Sequence, residues 1–380
     1  MKRRFALLVV LILFSLACSL GGLIQSGPAS PTAEAASTTD APTREPRLTR
    51  PGTGESSPCG DGVCQGPENP ENCPADCPSQ ENDDSEQVVS KELPPLYMGV
   101  SIHLEGWKLG NQKLGYNQEI YARYREKILA YSDLANSYGM PFTWETANLI
   151  EPSAALEPNV LLELYQRGDG LGVHADLGGK TPYPGGKANF SEDLEDLRLA
   201  MEAIGIPVTH VSGICSTLDW VTAARDAGYQ AVTGMVEYCL KSLPLDQQSD
   251  EIRACEGPAL CHDPYPGDIP ALLHPWRAAD GRSWTNPAEQ GLLIVPAAGS
   301  LPCSTESDST PRCDFQIVED ALAARQSGKF HSLFFIRSFG SPLEEDLLRA
   351  FYEGLQPYIE RGEVVWQTMP ELIETYEIFE

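Results

Sequence analysis

The chain has 380 residues, with 27 basic against 54 acidic side chains, a formal net charge of -27. This excludes nucleic acid as a partner, since phosphate binding needs a basic face, and the length allows one large domain plus appendages. No Gly-Xaa-Ser-Xaa-Gly elbow, phosphate loop or dinucleotide fingerprint occurs, so serine-hydrolase and nucleotide chemistry find no support.

At the start, Lys2, Arg3 and Arg4 precede an apolar run from Phe5 to Leu16. This is a charged segment and a short apolar segment of signal-peptide type, too short to span a bilayer with comfort. The run ends "FSLACS", which resembles a bacterial lipobox. The resemblance implies cleavage before Cys18, its acylation, and an extracytoplasmic protein lipid-anchored to the cell membrane or outer membrane. Ser19 after the lipid-bearing cysteine fits outer-membrane sorting. Residues 19–58 are rich in Ser, Thr, Pro, Ala and Gly without apolar periodicity, and read as a disordered tether.

Next comes "CGDGVCQGPENPENCPADC", with Cys59, Cys64, Cys73 and Cys77 among Gly, Pro, Asn and acids. Such a stretch cannot build a core and depends on crosslinks. It resembles short Cys-rich modules of bacterial surface proteins. Asp61, Glu68, Asn69 and Asp76 could offer oxygens to calcium, although two disulfides with solvated acids are the simpler reading. An acidic linker, 78–93, follows. With Cys18 set aside, ten cysteines remain, an even number that in an oxidising compartment favours disulfides. Six of them lie further on. Cys255–Cys261 and Cys303–Cys313 are the simplest local pairings, leaving Cys215–Cys239, among 15 possible connectivities.

From 94 to 380 the pattern alternates. Strand-like runs fall at Tyr97–His103, Pro141–Thr146, Leu171–His174, Thr209–Ser212, Gln230–Gly234, Leu292–Pro296, Ser332–Ile336 and Val364–Trp366. Amphipathic helices are predicted at Asn117–Tyr138, Ser191–Ile204, Thr217–Ala227, Phe315–Ser327 and Pro342–Arg361, with Ser191 as an N-cap. The alternation predicts an α/β fold, a distorted barrel of seven or eight β/α units, preceded by the tether and the small disulfide-rich module. A Pro-, Gly- and Trp-rich interruption at about 241–290 reads as a functional loop.

Two strands end alike. "GVSIHLEGW" places His103 and Glu105 two apart beside Trp107, and "GLGVHADLGG" does the same with His174 and Asp176. Residues i and i+2 of a strand share a side, and C-terminal strand ends of such barrels converge on one mouth. Two imidazoles and two carboxylates there suit a divalent transition metal such as zinc. His103, His174, Asp176 and Glu105 are the candidate ligands, with Glu105 alternatively the general base and His103 beside it in the catalytic set. The competing reading is a hydrogen-bonded polar plug.

These two motifs, with "SGICSTLDWVTAARDAGYQAV" and the closing "EVVWQTMPELIETY", resemble the polysaccharide deacetylase (NodB-homology) superfamily over roughly residues 96–380. The resemblance implies metal-dependent removal of acetyl groups from amino sugars in acetylated cell-surface or extracellular carbohydrate. The departures are clear. The family's Thr-Phe-Asp-Asp-Gly motif is replaced by Ile102-His103-Leu104-Glu105-Gly106, only His174 matches its paired histidines, and "VSGICS" stands where Arg-Pro-Pro-Tyr is usual. No late histidine is evident at the active end: His331 starts its strand, whereas Arg337 ends it.

Further candidates for carbohydrate contact are Trp107 beside the first pair, Glu145 at the second strand end, Asp219 and Trp220 opening a helix, Trp276, Arg277 and Trp284 on the long loop, and Arg337 at its strand end. Aromatic faces stack on sugars and Arg clamps anions, while a loop packing its own aromatics is the alternative. His210 and His262 have no evident partners and read as structural. Two other functions fit the same features: an inactive surface carbohydrate-binding barrel, and a glycoside hydrolase pairing Glu105 with Glu145.

Overall fold

The computed structural model describes residues 93–104, 116–177, 190–305, 311–339 and 345–380, together with the backbone of 108–109 and 112–113. The signal segment with Cys18, the tether, the cysteines of the 59–77 module, the acidic linker, Glu105 and Trp107 lie outside the described residues.

The strands of the main sheet, in chain order, are β1 (Leu96–His103), β2 (Thr143–Glu145), β3 (Gly170–His174), β4 (His210–Ser212), β5 (Ala231–Thr233), β6 (Trp276–Ala278), β7 (Leu292–Val295), β8 (Ser332–Ser338) and β9 (Val364–Trp366). They are ordered β8-β1-β2-β3-β4-β5-β7-β6, with β9 also on β1. Every pairing is parallel except β6 on β7. Parallel strands need crossovers, and helices such as Gln118–Ser137, Ser191–Ala203, Trp220–Asp226, Gln316–Ala324 and Glu345–Glu360 occur in them. The sheet curls back on itself. Beyond β7, the Ala298 amide donates to Phe334 O at 2.7 Å, and the Ile336 amide of β8 donates to Gly299 O at 2.7 Å. The result is a distorted α/β barrel.

The strand runs read from the sequence coincide with β1–β5 and β7–β9 to within a few residues, since each is a short apolar run bounded by turn residues. Ser191 is the first helical residue rather than the cap, a position held by Phe190. The long interruption contains β6, which the sequence reading leaves as loop. Three residues of mixed polarity, half-exposed at Trp276 and Arg277, carry no period to detect.

Inside the barrel the two ends differ. One end is apolar: Ala231, Leu293, Val295 and Phe334 pack against Met369, Leu372 and Ile373 of the last helix, Met369–Phe379. That helix starts with a capping box, the Thr368 amide donating to Glu371 Oε2 at 2.8 Å. Gly99 of β1 makes this closure possible, because a Cβ there would overlap Gln367 O and the Phe334 ring. The other end, at the C-terminal strand ends, is polar. Three disulfides, Cys215–Cys239, Cys255–Cys261 and Cys303–Cys313, brace the connections on the later strands. Such bonds persist in an oxidising, extracytoplasmic compartment. No helix among the described residues is long and apolar enough to cross a membrane.

Candidate metal centre

Register builds the site. His103 pairs with Glu145 and Glu145 with Gly172, while His174 pairs with Ser212, so His103 and Glu145 stand in one row and His174 and Ser212 two residues further along the next two strands, on the same face. Side chains in such a row point to one face, here the barrel interior. His103 Nε2 lies 3.2 Å from Glu145 Oε2. The His103 and His174 rings stack with centroids 4.0 Å apart. His174 Nδ1 is 2.8 Å from Ser212 Oγ, and the Ser212 hydroxyl donates to Glu145 Oε2 and lies 3.5 Å from His103 Nε2. One ligand atom from each of His103, Glu145 and His174 falls within 4.8 Å of the others.

Glu145 is 0 % exposed and His103 9 %. Burial alone would push the Glu145 carboxyl up, but the imidazoles of His103 and His210 beside it outweigh that and hold it well below the usual carboxylate range. His210 is fully buried, its Nε2 3.4 Å from Glu145 Oε1. The donor set is thus two imidazoles and one ionised carboxylate, the kind zinc and similar ions take. Glu145 Oε1 is buried facing His210, while Oε2 faces His103 and Ser212. The residues present fit a divalent transition metal.

A cavity of about 740 Å³ opens over this group. His103, His174, Asp176, His262, Met235 and Arg337 contribute to its wall. Asp176 takes a left-handed φ of 48°, held by its neighbours: the Ala175 amide donates to Ser212 O at 3.0 Å and the Leu177 amide to Gly213 O at 2.9 Å. Gly213 must lack a side chain, since a Cβ would approach His174 Cε1 to 2.7 Å.

The structure redistributes the candidates. His103 and His174 come together, and among the described residues Glu145 completes their group; Glu105 lies outside the described residues. Asp176 lines the cavity but stands outside the three-residue cluster. Arg337 is on the cavity wall, at the end of β8. Trp220 and Trp284 are corrected: both are fully buried, edge to face at 5.2 Å, with no face open to a sugar. Asp219 caps the helix it opens, accepting from the Thr222 amide at 3.0 Å and the Gly281 amide at 2.6 Å. Trp276 donates to Trp284 O at 2.6 Å, and Arg277 pairs with Glu377 at 2.7 Å and Glu380 at 2.6 Å. Both line a separate cavity of about 450 Å³ with Tyr265 and Tyr376. The long loop therefore packs its own aromatics, the alternative left open above. Sequence reasoning did not single out Ser212, and it read His210 and His262 as structural, without evident partners; the structure sets His210 beside Glu145 and His262 on the cavity wall. A signal for the first two was present, since both lie in "HVS", the strand that neighbours "GLGVH".

No protein-family profile matches the sequence, and no curated protein matches it. Among solved structures, a 4-α-glucanotransferase from Thermococcus litoralis is similar at 14% identity and a TM-score of 0.41, over 74% of this chain and 40% of that one. The chain thus spans well under half the length of that enzyme. A mutant of the peptidoglycan deacetylase PdaC from Bacillus subtilis is similar at 12% identity and a TM-score of 0.30, over 76% of this chain and 94% of that one.

Proposed function

We propose that the protein is a metal-dependent hydrolase of the polysaccharide deacetylase type, lipid-anchored outside the cytoplasmic membrane, acting on acetylated carbohydrate. The observation that carries the reading is the His103–Glu145–His174 group at the barrel mouth, facing a cavity of about 740 Å³. Three protein ligands with one side open is the arrangement of catalytic rather than structural zinc sites. A divalent ion held there supplies Lewis acidity toward an acyl carbonyl and lowers the pKa of a water.

The chain's own residues do the rest. Glu145, ionised and buried, provides the anionic ligand. Ser212, in contact with His103, His174 and Glu145, holds all three in mutual orientation. Arg337 and His262 on the cavity wall orient the polar part of the substrate, while Met235, Val236, Ala297 and Ile336 receive its apolar acyl part. Glu105, two residues beyond His103, is proposed as the general base. The resemblance described above supplies the substrate class.

The test is elemental analysis of the purified full-length chain beside its Glu145→Gln and His174→Ala variants, followed by acetate release from acetylated glycans. About one equivalent of a transition metal in the wild type, lost in both variants, with metal-dependent acetate release is expected. Deacetylation that survives complete metal removal would overturn the reading. Glycan binding without product, unaffected by chelation, would make the chain a binding barrel instead.

A further inference from the structure

We infer that His210 and Gly172 form a positioning pair that sets the orientation of the Glu145 carboxylate from beneath the metal centre. The inference rests on the metal-centre reading given above.

Glu145 of β2 pairs with Gly172 of β3, and Val173 pairs with Val211 of β4, which brings His210 to the far side of Gly172. Glu145, Gly172 and His210 therefore form one row across three strands. Strands lie about 4.8 Å apart, so roughly 10 Å separates the outer two backbones. An imidazole and a carboxylate bridge that distance only by leaning over the middle residue. The middle residue has no side chain. A Cβ on Gly172 would overlap His210 Nε2 and come within 2.8 Å of Cδ2.

Across this gap His210 Nε2 stands 3.4 Å from Glu145 Oε1, with both side chains 0 % exposed. The other oxygen, Oε2, faces Ser212 and His103. The two carboxylate oxygens thus have separate surroundings. His210 holds Oε1 from below, and Oε2 is turned toward the His103–His174 side.

A packing role does not account for His210. Both ring nitrogens are buried; Nδ1 has no hydrogen-bond partner, and the polar atom Nε2 faces is Glu145 Oε1, at 3.4 Å. Leaving a polar group so placed carries a desolvation cost, which an apolar side chain of similar volume would avoid. What the imidazole provides that Phe cannot is a polar edge against Oε1. Partners of this kind typically change metal affinity by about 10- to 100-fold when removed.

The test is titration of the full-length chain with zinc and cobalt, reading affinity and the cobalt absorption spectrum, for wild type, His210→Phe, His210→Gln and Gly172→Ala. Folding is followed by circular dichroism and urea denaturation. His210→Phe and Gly172→Ala are expected to weaken metal binding about 10- to 100-fold and alter the cobalt spectrum. His210→Gln, whose amide can still donate to Oε1, recovers most of the affinity. His210→Asn, polar but too short to reach, replaces His210→Phe if that variant does not fold. Affinity and spectrum unchanged in folded His210→Phe overturn the inference and leave the metal centre standing. A loss that His210→Gln does not reverse also overturns it, since a purely packing role gives that result. A wild-type chain that binds neither metal overturns the metal-centre reading and this inference with it.

Discussion

Glu145 is a charge placed where water does not reach, and the residues around it are arranged to make that tolerable. An unpaired buried carboxylate costs several kcal/mol, and removing one partner of a buried pair typically costs about 3–5 kcal/mol. His103, His210 and Ser212 share that compensation. A second buried acid behaves oppositely. Asp169 accepts from the Phe142 amide at 3.1 Å and from the Ser132 hydroxyl. Burial nevertheless dominates and pushes its carboxyl from 3.8 up to about 6. Because the folded value lies above the unfolded one, the folded chain holds the proton more tightly. This contribution is favourable below about pH 4 and is lost as pH rises to about 6, on the order of 3 kcal/mol in all. Urea denaturation of Asp169→Asn across pH 4 to 7 should show the variant gaining on the wild type as pH rises; a constant difference would refute the assignment. His331, pushed down to about 4 by burial and by His274, acts in the opposite sense, losing stability as pH falls below about 6.5. Its contribution is isolated by His331→Gln in the same titration.

At the level of elements, the third strand shows how a pattern is used. In "GLGVH", Leu171 and Val173 point outward into the helix-packed core, and Gly170, Gly172 and His174 point inward. The inward glycines leave room, Gly170 for Thr368 at the foot of the last helix and Gly172 for His210. The connection after β4 is fastened in turn by Cys215–Cys239, which closes a 24-residue separation and sets Cys215 on the cavity wall. Replacing both cysteines with serine should lower stability by about 2–4 kcal/mol. Because the wall itself is loosened, metal affinity should fall as well. Unchanged urea midpoints in the double variant would argue against a stabilising role. The last helix is the other brace: Leu372→Ala, in the apolar plug, should cost about 2–5 kcal/mol, read from the shift in the urea midpoint.

For the whole molecule, the barrel divides its interior between an apolar end, closed by the last helix, and a polar end that carries the candidate site. Stability and chemistry are thereby separated: substitutions among Leu372, Ile373 and Phe334 should change melting without changing metal content, and those at His174 the reverse. The expected lipid anchor belongs to this scale too. Cys18→Ser should move the protein from the membrane fraction to the soluble one, checked by detergent phase partitioning; an unchanged distribution would remove the anchor from the proposal.

Much of the fold was legible because alternating apolar runs and amphipathic segments are local properties, and eight of the strand runs needed nothing more than length and flanking turn residues to locate. His103 and His174 were legible for the same reason, each ending such a run. What the sequence by itself determined was therefore which side chains stand at strand ends. Which of them meet was decided only by register and curl. Glu145 joins the two histidines, Asp176 does not, His210 reaches across Gly172, and Trp220 and Trp284 turn into the core. The physical reason is that these contacts join residues tens of positions apart, and their distances depend on strand order and on which interior positions lack a side chain.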